Sequence, residues 1–101
     1  MLDLDALSID RFKFTLDGAI HEVNPPKKKV LNKIMALSKN TDDETEIIEG
    51  LFDSLKLVLD SNKAGKVFTI EFIEEKFDLQ MASTFLTKYF EWTGQVNKNP
   101  N

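Results

Sequence analysis

The sequence predicts an α+β fold in which an N-terminal β-hairpin packs on a bundle of about four α-helices. Residues 11–23, RFKFTLDGAIHEV, alternate apolar and polar side chains around an Asp-Gly turn signal. Residues 27–94 carry apolar side chains at helical spacing, in segments separated by Pro, Gly and capping residues. A chain of 101 residues is one domain, and we expect residues 1–8 and 95–101 to fray.

The hairpin prediction depends on Asp17-Gly18, because both central residues of a type I′ turn need a positive φ. This turn sets a register that separates an apolar face from a mostly polar one. An isolated hairpin is only marginally stable in water, so the apolar face is expected to pack on the helices. That face has three opposed pairs: Phe12–Val23, Phe14–His21 and Leu16–Ala19.

Two helices are predicted after the prolines that end the hairpin. The first runs from about Lys27 to Lys39. The second begins at a capping box formed by Thr41 and Glu44, and it ends in SNKAGK with Gly65 as the residue after the C-cap. Gly50 inside this helix either permits a close contact or is incidental.

Two more helices complete the chain. A short helix follows Thr69, and Asp78 is positioned to cap a final helix, LQMASTFLTKYFEWTG, for which Gly94 is the predicted stop. One face of the final helix is apolar and is expected to point into the core. It consists of Ala82, Phe85, Leu86, Tyr89 and Phe90.

The sequence has few candidate catalytic or metal-binding residues. We therefore predict that the protein is not an enzyme and needs no cofactor or metal. The chain has no Cys and a single His, and His21 is expected to be a half-buried packing residue of the hairpin. The acidic run TDDETEIIE lacks the ligand spacing of a calcium loop and instead suits a helix start. No glycine-rich phosphate loop is present, so no small-molecule substrate is predicted.

The charge distribution argues against nucleic acid as a partner. Residues 41–101 contain six basic and twelve acidic side chains, a net charge of −6 that would repel a phosphate backbone. The sequence has no stretch of about 18 apolar residues, so no membrane span is predicted. The acidic N-terminal stretch lacks the basic region of a signal peptide, so a cytoplasmic location is expected.

Aromatic side chains are concentrated in the final helix and are the predicted partner-binding site. Their positions span more than one face of a helix. Either this helix is covered on two sides, or an apolar patch stays exposed for a partner. The residues assigned to partner binding are Phe85, Tyr89, Phe90 and Trp92.

The order of these elements, together with the segment TIEFIEE before the final helix, resembles the tail assembly chaperones of siphovirus-type phages and prophages of Gram-positive bacteria. The resemblance covers about residues 9–94. It implies a non-enzymatic α+β protein that binds the tape measure protein and keeps it soluble before the tail tube polymerises. In that family a frameshifted longer product often recruits tail tube subunits. No residue role is carried over, because the family has no strict motif to align.

Another small interaction module, such as a head–tail connector or an adaptor, is the alternative function. A very long, helix-rich reading frame directly downstream would favour the chaperone. The sequence also predicts a weak tendency to self-associate, either through the hairpin edge or through the aromatic final helix.

Overall fold

The structure is a computed structural model that describes residues 2–3, 10–37 and 42–98. Two strands, β1 (Phe12–Leu16) and β2 (Ala19–Val23), form an antiparallel hairpin. Four helices follow, and this order confirms the α+β prediction. They are α1 (Lys28–Leu37), α2 (Glu44–Leu59), α3 (Ile70–Lys76) and α4 (Leu79–Lys98).

The hairpin has the predicted register, with Phe12 opposite Val23 and Leu16 opposite Ala19. Asp17 and Gly18 have φ values of 53° and 78°, as the turn requires. Lys76 Nζ lies 3.3 Å from a carboxylate oxygen of Asp17, so the turn also contacts the end of α3.

The outer edge of β2 is hydrogen-bonded to the loop that follows α2. The backbone N–H of Asn24 donates to the carbonyl oxygen of Ser61 at 2.8 Å, and that of Lys63 donates to the carbonyl oxygen of Glu22 at 2.9 Å. These bonds fix the hairpin beside the C-terminal end of α2. Val23, at the end of β2, is fully buried as a result.

The loop between α2 and α3 is held by its own polar side chains. The Asn62 amide nitrogen donates to the carbonyl oxygens of Leu59 and Lys66, at 2.8 and 2.6 Å, and its oxygen accepts from the Lys66 N–H at 2.9 Å. Because α2 ends at Leu59, the prediction that Gly65 follows its C-cap is wrong. Gly65 instead has a φ of 70° within the loop.

The start of α2 also differs from the prediction. The helix begins at Glu44, and its N-cap is Asp43, whose carboxylate accepts from the backbone N–H of Thr45 at 2.9 Å. Thr41, the predicted cap, lies outside the described residues. Asp is at least as good an N-cap as Thr, and Asp43 is placed where its carboxylate reaches the first turn.

Helices α1 and α2 approach closely where α1 ends. A Cβ atom on Gly50 would lie 2.9 Å from the carbonyl oxygen of Leu37, which is backbone and cannot rotate away. The glycine therefore permits the close contact that the sequence left open. The predicted first helix corresponds to α1, and Ser38 and Lys39 at its predicted end lie outside the described residues.

The last two helices begin where the sequence predicts, Asp78 is the predicted cap of α4, and Thr69 caps α3. Thr69 Oγ1 accepts from the Phe72 N–H at 3.2 Å, and a carboxylate oxygen of Asp78 accepts from the Met81 N–H at 2.7 Å. Gly94 does not end α4, which continues to Lys98, so four residues of the predicted tail are helical. A single glycine costs a helix only about 1 kcal/mol, which its neighbours offset here.

The buried core joins the end of the hairpin to all four helices. Its central part lies between α2 and α4, with α3 and the preceding loop covering one end. Phe12, Phe14 and Leu16 pack against it from the hairpin. The buried apolar residues are Val23, Ile34, Leu55, Val58, Leu59, Phe68, Ile73, Phe77, Ala82, Phe85, Leu86 and Tyr89.

Candidate functional site

The apolar face of the hairpin covers one side of α4 and forms an aromatic cluster with it. The ring of Phe12 meets the rings of Phe85 and Tyr89 edge-on, at centroid distances of 5.6 and 5.7 Å. Phe14 meets Phe85 edge-on at 4.9 Å. Edge-on contacts of this kind stabilise a pair by about 0.5–1.5 kcal/mol beyond the area that they bury. The aromatic residues of α4 therefore hold the hairpin in place.

Tyr89 lies at the centre of this cluster and is fully buried. Its hydroxyl donates to the carbonyl oxygen of Asn24 at 2.9 Å, which joins α4 to the residue that follows β2. The side-chain oxygen of Asn24 accepts from Arg11 Nε at 2.7 Å. Residues on either side of the hairpin and on α4 thus meet at one polar junction.

Burial divides the four residues that the sequence assigned to partner binding. Phe85 and Tyr89 are core residues, because the hairpin covers α4 on a second side. Tyr89 therefore presents no free face to a partner, and only a small part of Phe85, which is 9 % exposed, reaches the surface. Phe90 and Trp92 are half-buried, and the Trp92 ring lies 5.7 Å from that of Phe12. Of the two alternatives for the final helix, the structure supports coverage on two sides.

A groove remains at the surface between the turn end of β1 and the start of α4. It encloses about 330 Å³, and its walls are mainly apolar. Phe14 and Leu16 line it from the hairpin, and Met81 and Phe85 line it from α4. Met81 is exposed, and so is Leu79, which lies two residues before it in α4. We call this surface the β1–α4 groove.

A second hollow lies at the other end of β1, beside Trp92. It encloses about 560 Å³, and its lining is more polar than that of the β1–α4 groove. Phe12 and Trp92 form its apolar part, and Arg11, Lys13 and Glu22 supply charges of both signs. Two of the four assigned residues, Phe85 and Trp92, therefore contribute to surface hollows on this side of the molecule.

The sequence did not single out the β1–α4 groove. The sequence predicts only that Met81 and Leu79 belong to the start of a helix, and no local pattern shows which part of the hairpin will lie beside them. The only signal was that both are apolar and lie beside Asp78, the cap of α4. Such residues are often exposed at the first turn of a helix, so the groove needed the tertiary arrangement.

The other candidates for chemistry have structural roles in the described part of the chain. His21 is half-buried, stacks on Phe14 at 5.2 Å and meets Phe68 edge-on at 5.6 Å, as expected of a packing residue. Among residues 2–3, 10–37 and 42–98, no three side chains of the metal-binding types come together.

Burial raises the pKa of the Tyr89 hydroxyl above its ordinary value of 10.0. The phenol therefore ionises in the unfolded chain at a lower pH than in the folded one. The free energy of unfolding should be unaffected by this group below pH 10. Above pH 10 it should fall as the pH rises, by up to about 1.4 kcal/mol per pH unit.

Urea denaturation between pH 8 and pH 11 measures this slope, and Tyr89→Phe is the control because it removes the phenol and keeps the ring. Tyr89 is the chain's one tyrosine, so ultraviolet difference absorbance follows its ionisation directly. Equal slopes for the two proteins, or a phenolate that appears near pH 10 before unfolding, would contradict burial of this hydroxyl.

No helix among the described residues combines the length and the apolar character needed to cross a membrane. Comparison of the chain with protein-family models, with curated protein sequences and with solved structures finds no match.

Proposed function

We propose that this chain is a non-enzymatic tail assembly chaperone of a siphovirus-type phage or prophage, acting in the host cytoplasm. It would bind the tape measure protein and keep it soluble until the tail tube polymerises. The proposal rests first on the sequence resemblance. The structural observation that supports it is the β1–α4 groove, an apolar surface of a size suited to side chains of another protein.

The shape of the groove suits one or two apolar side chains of a helical segment. Its volume of about 330 Å³ is at the lower end of the range of ligand sites and exceeds the volume of a single large side chain. Phe14 and Phe85 provide a rigid aromatic wall, and Met81 is flexible enough to adapt to different occupants. A chaperone that binds many similar segments of a long partner would benefit from such a surface.

The charges around the groove favour a basic partner. Asp78 lies in its lining, and Glu74 and Glu75 are exposed on α3 nearby in sequence. The net charge of −6 over residues 41–101 adds a broad negative field that speeds association with lysine-rich helices. Trp92 borders the second hollow and is a further candidate contact for the same partner.

The test is co-expression with the protein encoded directly downstream, comparing the wild type with Met81→Glu. Met81 is the third residue of α4, where Glu is favourable for the helix, so the variant should fold. A charge in an apolar contact should weaken binding at least tenfold, about 1.4 kcal/mol. We expect the soluble fraction of the partner to fall accordingly.

Ile20→Glu is the matched control, because Ile20 is 74 % exposed on the opposite face of the hairpin. It should leave the soluble fraction of the partner unchanged. If the partner is equally soluble without this chain, the chaperone function is wrong, and an adaptor or head–tail connector takes its place. If Ile20→Glu and Met81→Glu have equal effects, the partner does not use the β1–α4 groove.

A further inference from the structure

Large exposed apolar side chains are concentrated where α1 ends and α2 begins. Met35 is 64 % exposed and Ile47 is 52 % exposed, and Leu37 and Ile48 are also exposed. We call these four residues the α1–α2 tip. Scattered exposed apolar residues are ordinary on protein surfaces, but several together mark an interaction site.

The tip residues are close in space, and they lie beyond the core. The contact between the Leu37 carbonyl and Gly50 brings the last turn of α1 against the second turn of α2. Residues 42–49 are all exposed, and the buried part of α2 starts at Ser54. The N-terminal half of α2 and the end of α1 therefore carry apolar side chains that are exposed and that the other described residues do not cover.

The two helices that carry the tip have opposite charges. Residues 27–37 contain four lysines and no acidic residue, and Lys28, Lys29 and Lys33 are exposed. On α2 the exposed charged side chains up to residue 53 are acidic, and they include Glu44, Glu49 and Asp53. No salt bridge within the described ranges joins these lysines to these carboxylates.

We propose that the α1–α2 pair is the interface of a homodimer. Two copies related by a two-fold axis would lie side by side and antiparallel. The acidic N-terminal half of α2 in each copy would then pack beside the basic N-terminal half of α1 in the other, and the two apolar tips would meet near the two-fold axis, between these two pairings. A two-fold interface repeats every contact, so one basic helix and one acidic helix in each chain produce two complementary pairings. The sequence did not point to this surface for self-association, and the proposal is independent of the partner of the β1–α4 groove.

The occupant is a second copy because this surface is complementary to itself. A purely acidic partner would be repelled by α2, and a purely basic one by α1, whereas a second copy satisfies both helices. Four apolar side chains cover less than the roughly 800 Å² per partner of a stable interface, so the dimer should be weak and sensitive to salt.

The decisive experiment uses two charge-reversed variants in analytical ultracentrifugation over a wide range of concentrations. One carries Lys28→Glu, Lys29→Glu and Lys33→Glu, and the other carries Glu44→Lys, Glu49→Lys and Asp53→Lys. We expect the wild type to move from 11.6 kDa towards twice that mass as concentration rises. Each variant alone should stay monomeric, and an equimolar mixture should recover the association, because both pairings are attractive again.

Met35→Glu tests the apolar part of the interface with a single exposed substitution that the fold should tolerate. It should weaken association at least tenfold, whereas Val67→Glu, at a residue 69 % exposed in the loop between α2 and α3, should not. The proposal is overturned if the wild type is monomeric throughout, or if the mixture of folded variants stays monomeric. If the charge variants do not fold, association that Met35→Glu leaves unchanged would overturn it. Association lost in Ile20→Glu but kept in Met35→Glu would assign the dimer to the hairpin instead.

Discussion

Tyr89→Ala is expected to lower the free energy of unfolding by about 4 kcal/mol, the largest effect of any single substitution considered for this fold. The ring of Tyr89 is fully buried and contacts the rings of Phe12, Phe85 and Trp92. Its removal leaves a cavity between the hairpin and α4, and it breaks the hydrogen bond to Asn24. Urea denaturation at neutral pH, followed by circular dichroism, measures the change.

Two neighbouring substitutions show whether burial is the cause. Phe90→Ala removes a half-buried ring of similar size from the next position of α4, and it should cost clearly less. Tyr89→Phe keeps the ring and loses the hydrogen bond, so it should cost about 1 kcal/mol. A loss below about 1.5 kcal/mol for Tyr89→Ala, or a larger loss for Phe90→Ala, would mean that the hairpin does not close over this side of α4.

The parts of the fold that sequence reasoning predicts are those that depend on local interactions. Asp17-Gly18 sets the turn, and the turn sets the register of both strands. Thr69 and Asp78 begin their helices because a short polar side chain there reaches the first free N–H groups. In each case the deciding contact lies within a few residues along the chain.

Local reasoning is weaker where two neighbouring residues compete for one role. Thr41 and Asp43 both precede an acidic first turn, and the pattern of a capping box favours the first. The structure has the helix begin two residues later, on Asp43. Gly94 shows a different weakness of local reasoning. A glycine weakens a helix without ending it, and α4 continues for four more residues.

The candidate site depends on contacts between distant parts of the chain. The sequence showed that the aromatic residues of α4 occupy more than one face, but not which face the hairpin covers. Phe85 and Tyr89 are buried, as expected for the predicted core face of α4, whereas the position of the hairpin decides that Met81 lines a groove. Phe14 and Phe85 are 71 residues apart, and no spacing rule connects them.

The loop between α2 and α3 is a second feature that only the tertiary structure explains. The sequence predicts only that SNKAGK ends a helix, whereas Asn62 is buried and makes three hydrogen bonds there. This loop also carries the backbone groups that pair with β2. A residue that appears ordinary in the sequence therefore supports both the turn into α3 and the edge of the hairpin.

Asn62→Asp is accordingly expected to lower the free energy of unfolding by about 3 kcal/mol at neutral pH. A carboxylate can still accept from the Lys66 N–H, but it cannot donate to the carbonyl oxygens of Leu59 and Lys66. Both oxygens would then face a negative charge in a buried position, which is costly unless the charge is paired. Urea denaturation at pH 7 measures the loss, with Lys63→Ala as the control at an exposed neighbour.

The pH dependence of this variant separates the lost donor from a general disturbance of the loop. Below about pH 4 the introduced carboxyl is protonated in both the folded and the unfolded chain, and in the folded one it can donate one hydrogen bond again. The folded state binds this proton more tightly than the unfolded state, because the charged form faces two carbonyl oxygens. The deficit relative to the wild type should therefore shrink as the pH falls towards 3 and grow as it rises towards 7. A deficit that is the same at pH 3 and pH 7 would show that the amide donor of Asn62 is not what holds this loop together.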